Sequence, residues 1–113
     1  MQNICNATDI PAGSMKGFTV NGRQILVANA GGSFFAVDAV CPHMHGYLPA
    51  GRLSGTTVTC PVHGAQYDLA TGAVQKNVPW MVRMATGRSA ANLRTFRVEV
   101  KDGQVSVDVP APS

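Results

Sequence analysis

A chain of 113 residues, 45% hydrophobic and 13% charged, reads as one domain, residues 1–113, with a modest core, and it is too apolar for a solvated tail. Its net charge of +3 includes no dense Lys/Arg run interleaved with aromatics, which argues against a nucleic-acid partner. No segment approaches the ~18 apolar residues of a membrane span and no signal-like run opens the chain, so a soluble cytoplasmic protein is expected; three cysteines, an odd number, argue for reduced thiols.

The chain then reads as short strands joined by tight turns. Phe18-Thr19-Val20 and Gln24 to Ala28 flank Asn21-Gly22, a hairpin signal because the favoured turn needs positive φ at both central residues. Gly31-Gly32 leads into Phe34-Phe35-Ala36-Val37, giving an antiparallel meander. Gly46, Gly51 and Gly55 punctuate a loop-rich segment, and Thr56 to Thr59 is β-branched enough to form a strand ending at Cys60. Tyr67-Asp68-Leu69 follows, turned by Thr71-Gly72. Ala73 to Asn92 fits no period and reads as an extended loop, with Met81 to Met84 as either one helical turn or a strand. Leu93 to Val100 alternates, Phe96, Val98 and Val100 on one face, and Asp102-Gly103 turns it into Val105, Val107 and Val109. The fold class is all-β and antiparallel.

Two clusters of soft or borderline ligands interrupt this pattern. Cys41-Pro42-His43 and Cys60-Pro61-Val62-His63 each carry one thiol and one imidazole, with sixteen residues between His43 and Cys60. Each pair sits on a loop after a strand, so two facing loops could clamp one site. Three readings compete: a tetrahedral zinc, a two-iron cluster, and four residues without a metal. Zinc accepts such a set, but its sites usually group the cysteines apart from the histidines. One Cys and one His per loop lets each loop reach both ends of a two-iron, two-sulfide rhomb.

Cys41-Pro42-His43 through Leu48, and Cys60-Pro61-Val62-His63-Gly64-Ala65-Gln66-Tyr67-Asp68 with Thr71-Gly72, closely resemble the cluster-binding boxes of Rieske 2Fe-2S proteins. The resemblance implies a Rieske-type antiparallel β-sandwich with a cluster-binding subdomain of two loops. It implies one 2Fe-2S cluster, with Cys41 and Cys60 on the buried iron and His43 and His63 on the outer iron. Two ferric ions, two sulfides and two thiolates sum to zero, so such a core takes up an electron more readily than an all-cysteine cluster. High-potential respiratory relatives carry an extra cysteine in each box and a serine after the second His-Gly. Here those positions hold Gly46, Val62 and Ala65, while Tyr67 is retained. These differences point to a reduction potential in the lower part of the roughly −150 to +300 mV range of Rieske centres.

The resemblance further implies an electron carrier rather than an enzyme, passing single electrons from a flavin reductase to a terminal ring-hydroxylating oxygenase. A small Rieske subunit of a larger oxidoreductase, of the nitrite reductase type, is the alternative, and a structural zinc-binding module a more distant one. Docking is expected through the exposed His43/His63 tip and the basic segment 76–97, which carries Lys76, Arg83, Arg88, Arg94 and Arg97 with no acidic residue. His45 reads as an exposed or supporting residue rather than a ligand, and Cys5 as a small apolar one. Pro79 falls where Rieske proteins place a proline loop over the cluster, with Trp80 and Met81 beside it.

Overall fold

A computed structural model of the chain describes residues 1–40, 46–61, 64–77, 81, 84–85 and 91–110. Among these, ten strands form two antiparallel sheets: β1 (Gln2–Asn6), β2 (Ser14–Val20), β3 (Arg23–Ala30), β4 (Ser33–Asp38), β5 (Arg52–Ser54), β6 (Thr57–Thr59), β7 (Gln66–Asp68), β8 (Val74–Lys76), β9 (Thr95–Lys101) and β10 (Gln104–Asp108). The larger sheet runs β1-β10-β9-β4-β3-β2 and forms the base; the smaller runs β5-β6-β7-β8 and lies in sequence between β4 and β9.

The hairpins of the base follow from local turn chemistry. Asn21 and Gly22 have φ of 52° and 77°, and Asp102 and Gly103 of 53° and 73°, so both two-residue turns adopt the twist that antiparallel strands need. Val20 then pairs with Arg23, and Lys101 with Gln104, fixing the two registers. Phe96 is buried on β9, whereas Val100, expected on the same apolar face, is 43% exposed even though Val105 opposite it on β10 is buried. Two strands in this region carry no period-2 signal. β1 is polar but for Ile4 and Cys5 and pairs with β10 through an irregular register; β2 begins at Ser14, well before Phe18.

Strand β3 accounts for the two-layer build. Ile25 and Val27 face a core shared with Ile10, Val20, Ala36, Val105 and Val107. Leu26 and Ala28 face the opposite way, into a second core with Val37, Val58, Tyr67 and Leu69. A strand covered on both faces reads as a continuous apolar run instead of an alternating one, as Ile25-Leu26-Val27-Ala28 does. The first core lies within the curled base, and the second joins the base to the small sheet. β9 spans the two halves of the base, its Thr95 and Phe96 pairing with β4 and its Arg97 to Lys101 with β10.

The segment read as an extended loop from Ala73 begins instead with β8, tied to β7. Met81 and Met84 have helical backbone and are 65% and 77% exposed. Trp80 and Pro79 lie outside the described residues, as does Pro112. No helix among the described residues is long and apolar enough to cross a membrane.

Candidate metal centre

Of the four expected ligands, Cys60 is described; Cys41, His43 and His63 lie outside the described residues, as do His45 and Val62. What the structure gives for the site is therefore Cys60 and the necks of both loops. At the first neck, Val40 and Tyr47 form an isolated antiparallel bridge, and the Leu48 N–H donates to the Ala39 carbonyl at 2.7 Å. At the second, the Cys60 N–H donates to the Ala65 carbonyl at 2.7 Å, with Gly64 at φ 75° inside the turn. The described residues flanking positions 41–45, and those flanking 62–63, are thus each joined by a ladder-like contact.

The two necks meet. Ala39, Leu48, Cys60 and Ala65 belong to one buried cluster, together with Val58, Tyr67 and Leu69. Cys60 is 2% exposed and Tyr67 fully buried. Buried placement of the Cys60 thiol in one cluster with Ala39 and Leu48, between which Cys41 and His43 lie in sequence, suits a cluster whose cysteine-bound iron faces the protein. The donor chemistry and the paired necks therefore fit a two-iron, two-sulfide group.

Several residues that brace the necks gave no sequence signal beyond being glycine or charged. Gly51 lies so close to β6 that a Cβ there would collide with the Thr59 carbonyl, one residue before Cys60. Gly17 leaves room for the hydroxyl of Tyr47, which follows the first loop and lies against β2. A glycine inside a strand pattern is the signal for such a close backbone approach. Gly72, at φ 76°, packs against Leu93, whose N–H donates to the Gly72 carbonyl at 2.7 Å and so pins the returning chain to the small sheet.

Asp38, three residues before Cys41, is the polar node at the root of the first loop. Its Oδ1 accepts from Arg23 Nε at 2.9 Å and its Oδ2 from the Arg94 N–H at 3.3 Å, while its own N–H donates to the Arg94 carbonyl at 3.0 Å. The guanidinium carbons of Arg23 and Arg94 stand 5.3 and 5.9 Å from the Phe96 ring centroid, within cation–π range. Three cations of the basic segment 76–97 are described. Lys76 ends β8, Arg94 stacks on Phe96, and Arg97 faces Asp108 across the β9–β10 ladder; Arg83 and Arg88 lie outside the described residues.

Cys5 is remote from this centre. It is half-buried on β1 against the base core, where burial, reinforced by the Asp9 carboxylate and opposed by Lys16, pushes its thiol above the ordinary range.

Comparison with known proteins agrees with this geometry. The family profile of the Rieske [2Fe-2S] domain matches residues 1–97. The ferredoxin component of a biphenyl 2,3-dioxygenase from Rhodococcus jostii (strain RHA1) is 33% identical over 109 residues, covering 96% of this chain and 92% of that protein. A Sphingomonas yanoikuyae B1 ferredoxin superposes with a TM-score of 0.80 at 26% identity, covering 96% of this chain and 98% of that one. A chain from a complex of reduced oxygenase and oxidized ferredoxin in carbazole 1,9a-dioxygenase gives 0.79 at 28%, covering 95% and 100%.

Proposed function

The chain belongs to the Rieske [2Fe-2S] family and carries one cluster of that type, and from this premise we propose that it shuttles single electrons from a flavin reductase to a terminal ring-hydroxylating oxygenase. It is an electron carrier, not itself an enzyme. When bound, the cluster takes up and releases one electron at a time. The chain would hold it through Cys41 and Cys60 on the inner iron and His43 and His63 on the outer. The observation that carries this reading is the meeting of two closed loop necks in one buried cluster around Cys60. Near full-length similarity to a dioxygenase ferredoxin component supports the choice of partners over a fixed subunit of a larger oxidoreductase. We place the protein, as a single domain of residues 1–113, in the cytoplasm.

Each part of the chain has a task in this reading. Val58, Tyr67 and Leu69 pack with Cys60 in one buried cluster and give it an apolar backing on the protein side. The ladder contacts at both necks tie down the roots of the two ligand loops, which would lower the rearrangement that accompanies a change of charge. A solvent-facing pair of histidines would leave a short route to the partner and could couple reduction to proton uptake.

The test is spectroscopic and electrochemical. The purified protein should be brown with equal iron and sulfide, and His43→Cys or His63→Cys should change its spectrum, whereas His45→Ala should not. Protein-film voltammetry should give a one-electron wave in the lower part of the roughly −150 to +300 mV range. A strongly positive potential would remove the low-potential assignment, and zinc without sulfide would remove the reading altogether.

A further inference from the structure

Directly opposed residues in an antiparallel ladder share a face of the sheet. In the small sheet the pairings Arg52 with Thr59, Thr59 with Gln66, and Gln66 with Lys76 join into one row across all four strands. The neighbouring row is Leu53, Val58, Tyr67 and Val74, which faces the buried core. By simple alternation Lys76 would share the face of Val74. Instead Gln75 is an extra residue, set against the single step from Gln66 to Tyr67, and this bulge turns Lys76 outward. Arg52 and Lys76 are both exposed.

The row spans about 14 Å, three inter-strand spacings. It starts and ends with a cation, and Gln66 Nε2 donates to Thr59 Oγ1 at 3.3 Å in the middle. It also runs along the second ligand loop: Thr59 precedes Cys60, Gln66 follows Ala65, and Arg52 lines the same open groove as Cys60, Pro61 and Gly64. Asp68, the one acid between residues 39 and 93, shares this face two residues beyond Gln66, at the end of β7 away from Cys60, where it accepts from the Ala70 N–H at 3.0 Å and the Thr71 hydroxyl at 3.3 Å.

Charge is divided along the chain in the same way. Residues 39–93 hold Arg52, Lys76, Arg83 and Arg88 against Asp68, a net +3. In the remainder, Lys16, Arg23, Arg94, Arg97 and Lys101 balance Asp9, Asp38, Glu99, Asp102 and Asp108. The entire net charge of the protein therefore resides in the cluster-bearing insertion. An uneven field of this kind orients an approaching partner before contact.

We propose that the Arg52–Thr59–Gln66–Lys76 row is a docking face for a redox protein that presents clustered carboxylates next to its own electron-exchanging group. The proposal rests on the electron-carrier reading and adds the chemistry of the partner. Two cations separated by about 14 Å suit a few carboxylates, and are sparse for a nucleic-acid duplex that carries one charge about every 1.7 Å.

The experiment uses the holoprotein and two anionic probes. Hexacyanochromate(III), an inert paramagnetic trianion, is added to the 15N-labelled protein at about 10 mM salt and again at about 100 mM, where the Debye length falls from about 30 to about 10 Å. Amide signals of β5 to β8 should broaden first, and the broadening should drop several-fold at the higher salt. In the double variant Arg52→Glu, Lys76→Glu it should be lost, while Lys101→Glu on the base leaves it in place. In stopped flow, one electron passes from the reduced protein to hexacyanoferrate(III), giving hexacyanoferrate(II) and oxidised protein. That rate should fall several-fold with salt and several-fold again in the double variant, and a cationic cobalt(III) tris-phenanthroline oxidant should show the reverse trend.

Broadening centred on Lys16 or Lys101, or rates indifferent to salt and to the double variant, would overturn the proposal. So would retention by duplex DNA or phosphatidylserine vesicles at about 100 mM salt that the double variant abolishes, since the face would then serve phosphate. A salt-independent rate with the visible spectrum and one-electron reduction intact refutes the docking face alone. Loss of that spectrum in the unmodified protein refutes the electron-carrier reading beneath it.

Discussion

The base and the small sheet are made of the same kind of structure but hold together by different means. Strands of the base are five to eight residues long, its hairpins are set by two-residue turns with positive φ, and it has a core of its own. Each strand of the small sheet is three residues long, and its apolar row is buried only by borrowing Leu26, Ala28 and Val37 from the base. Three-residue strands make few ladder bonds and are shorter than the usual five or six. The lesson is that the small sheet has little apolar burial of its own and depends on the base for it.

Removal of the cluster should break this balance most visibly. In the apoprotein, amide exchange in β5 to β8 should accelerate by orders of magnitude, because metal binding there is also folding free energy, while β2, β3 and β10 keep their protection. Equal loss in both sheets would show that the base is no more self-sufficient than its insertion. A finer division is available on β3, where adjacent residues serve different cores. Leu26→Ala and Ile25→Ala should each cost about 2–5 kcal/mol in chemical denaturation. Leu26→Ala should loosen β6 and β7 and speed cluster loss, whereas Ile25→Ala should loosen β9 and β10 and leave the visible spectrum unchanged; identical exchange patterns would merge the two cores into one.

The smallest effect concerns Cys5, which belongs to the base and not to the metal centre. Its raised pKa keeps the thiol protonated at neutral pH, so alkylation of Cys5 by iodoacetamide, followed by mass spectrometry, should be slow and rise only in alkaline solution. Burial is the larger cause and the Asp9 carboxylate the second. Asp9→Asn removes the second and should move the reactivity profile to lower pH; a profile that moves up, or stays put, separates Cys5 from Asp9.

The two regions also differed in how far their sequence could be read. Asn21-Gly22 and Asp102-Gly103 announced their hairpins because turn chemistry is local, and the ligand spacing from Cys41 to His63 announced the family because few chemistries need one Cys and one His on each of two loops. β5 and β8 were invisible, since three residues are too few for a period and their pairing depends on strands elsewhere in the chain. β1 was missed because Gln2-Asn3-Ile4-Cys5-Asn6 offers one edge to β10 and little apolar alternation. The outward turn of Lys76 could not be foreseen either, because it comes from a single unpaired residue, Gln75, in a register known only once β7 and β8 are paired. Asp38 carried no sequence signal of its own, and its role at the foot of the first loop emerged only when Arg94, far along the sequence, came to lie beside it.

That last contact has an architectural consequence. Val37 pairs with Thr95, and Asp38 and Arg94 are joined on the next rung, so the chain leaves the base and re-enters it at neighbouring points of one ladder. Viewed from the base, residues 39–93 occupy the position of a hairpin turn. The head is a graft on a scaffold whose strands meet at its root, and the entropy cost of closing the excursion grows only logarithmically with its length. A two-residue turn could in principle replace the whole insertion, provided Leu26, Ala28 and Val37, which the graft covers, were made polar. The same geometry lets the head change its loops, charge and length while the scaffold keeps its register.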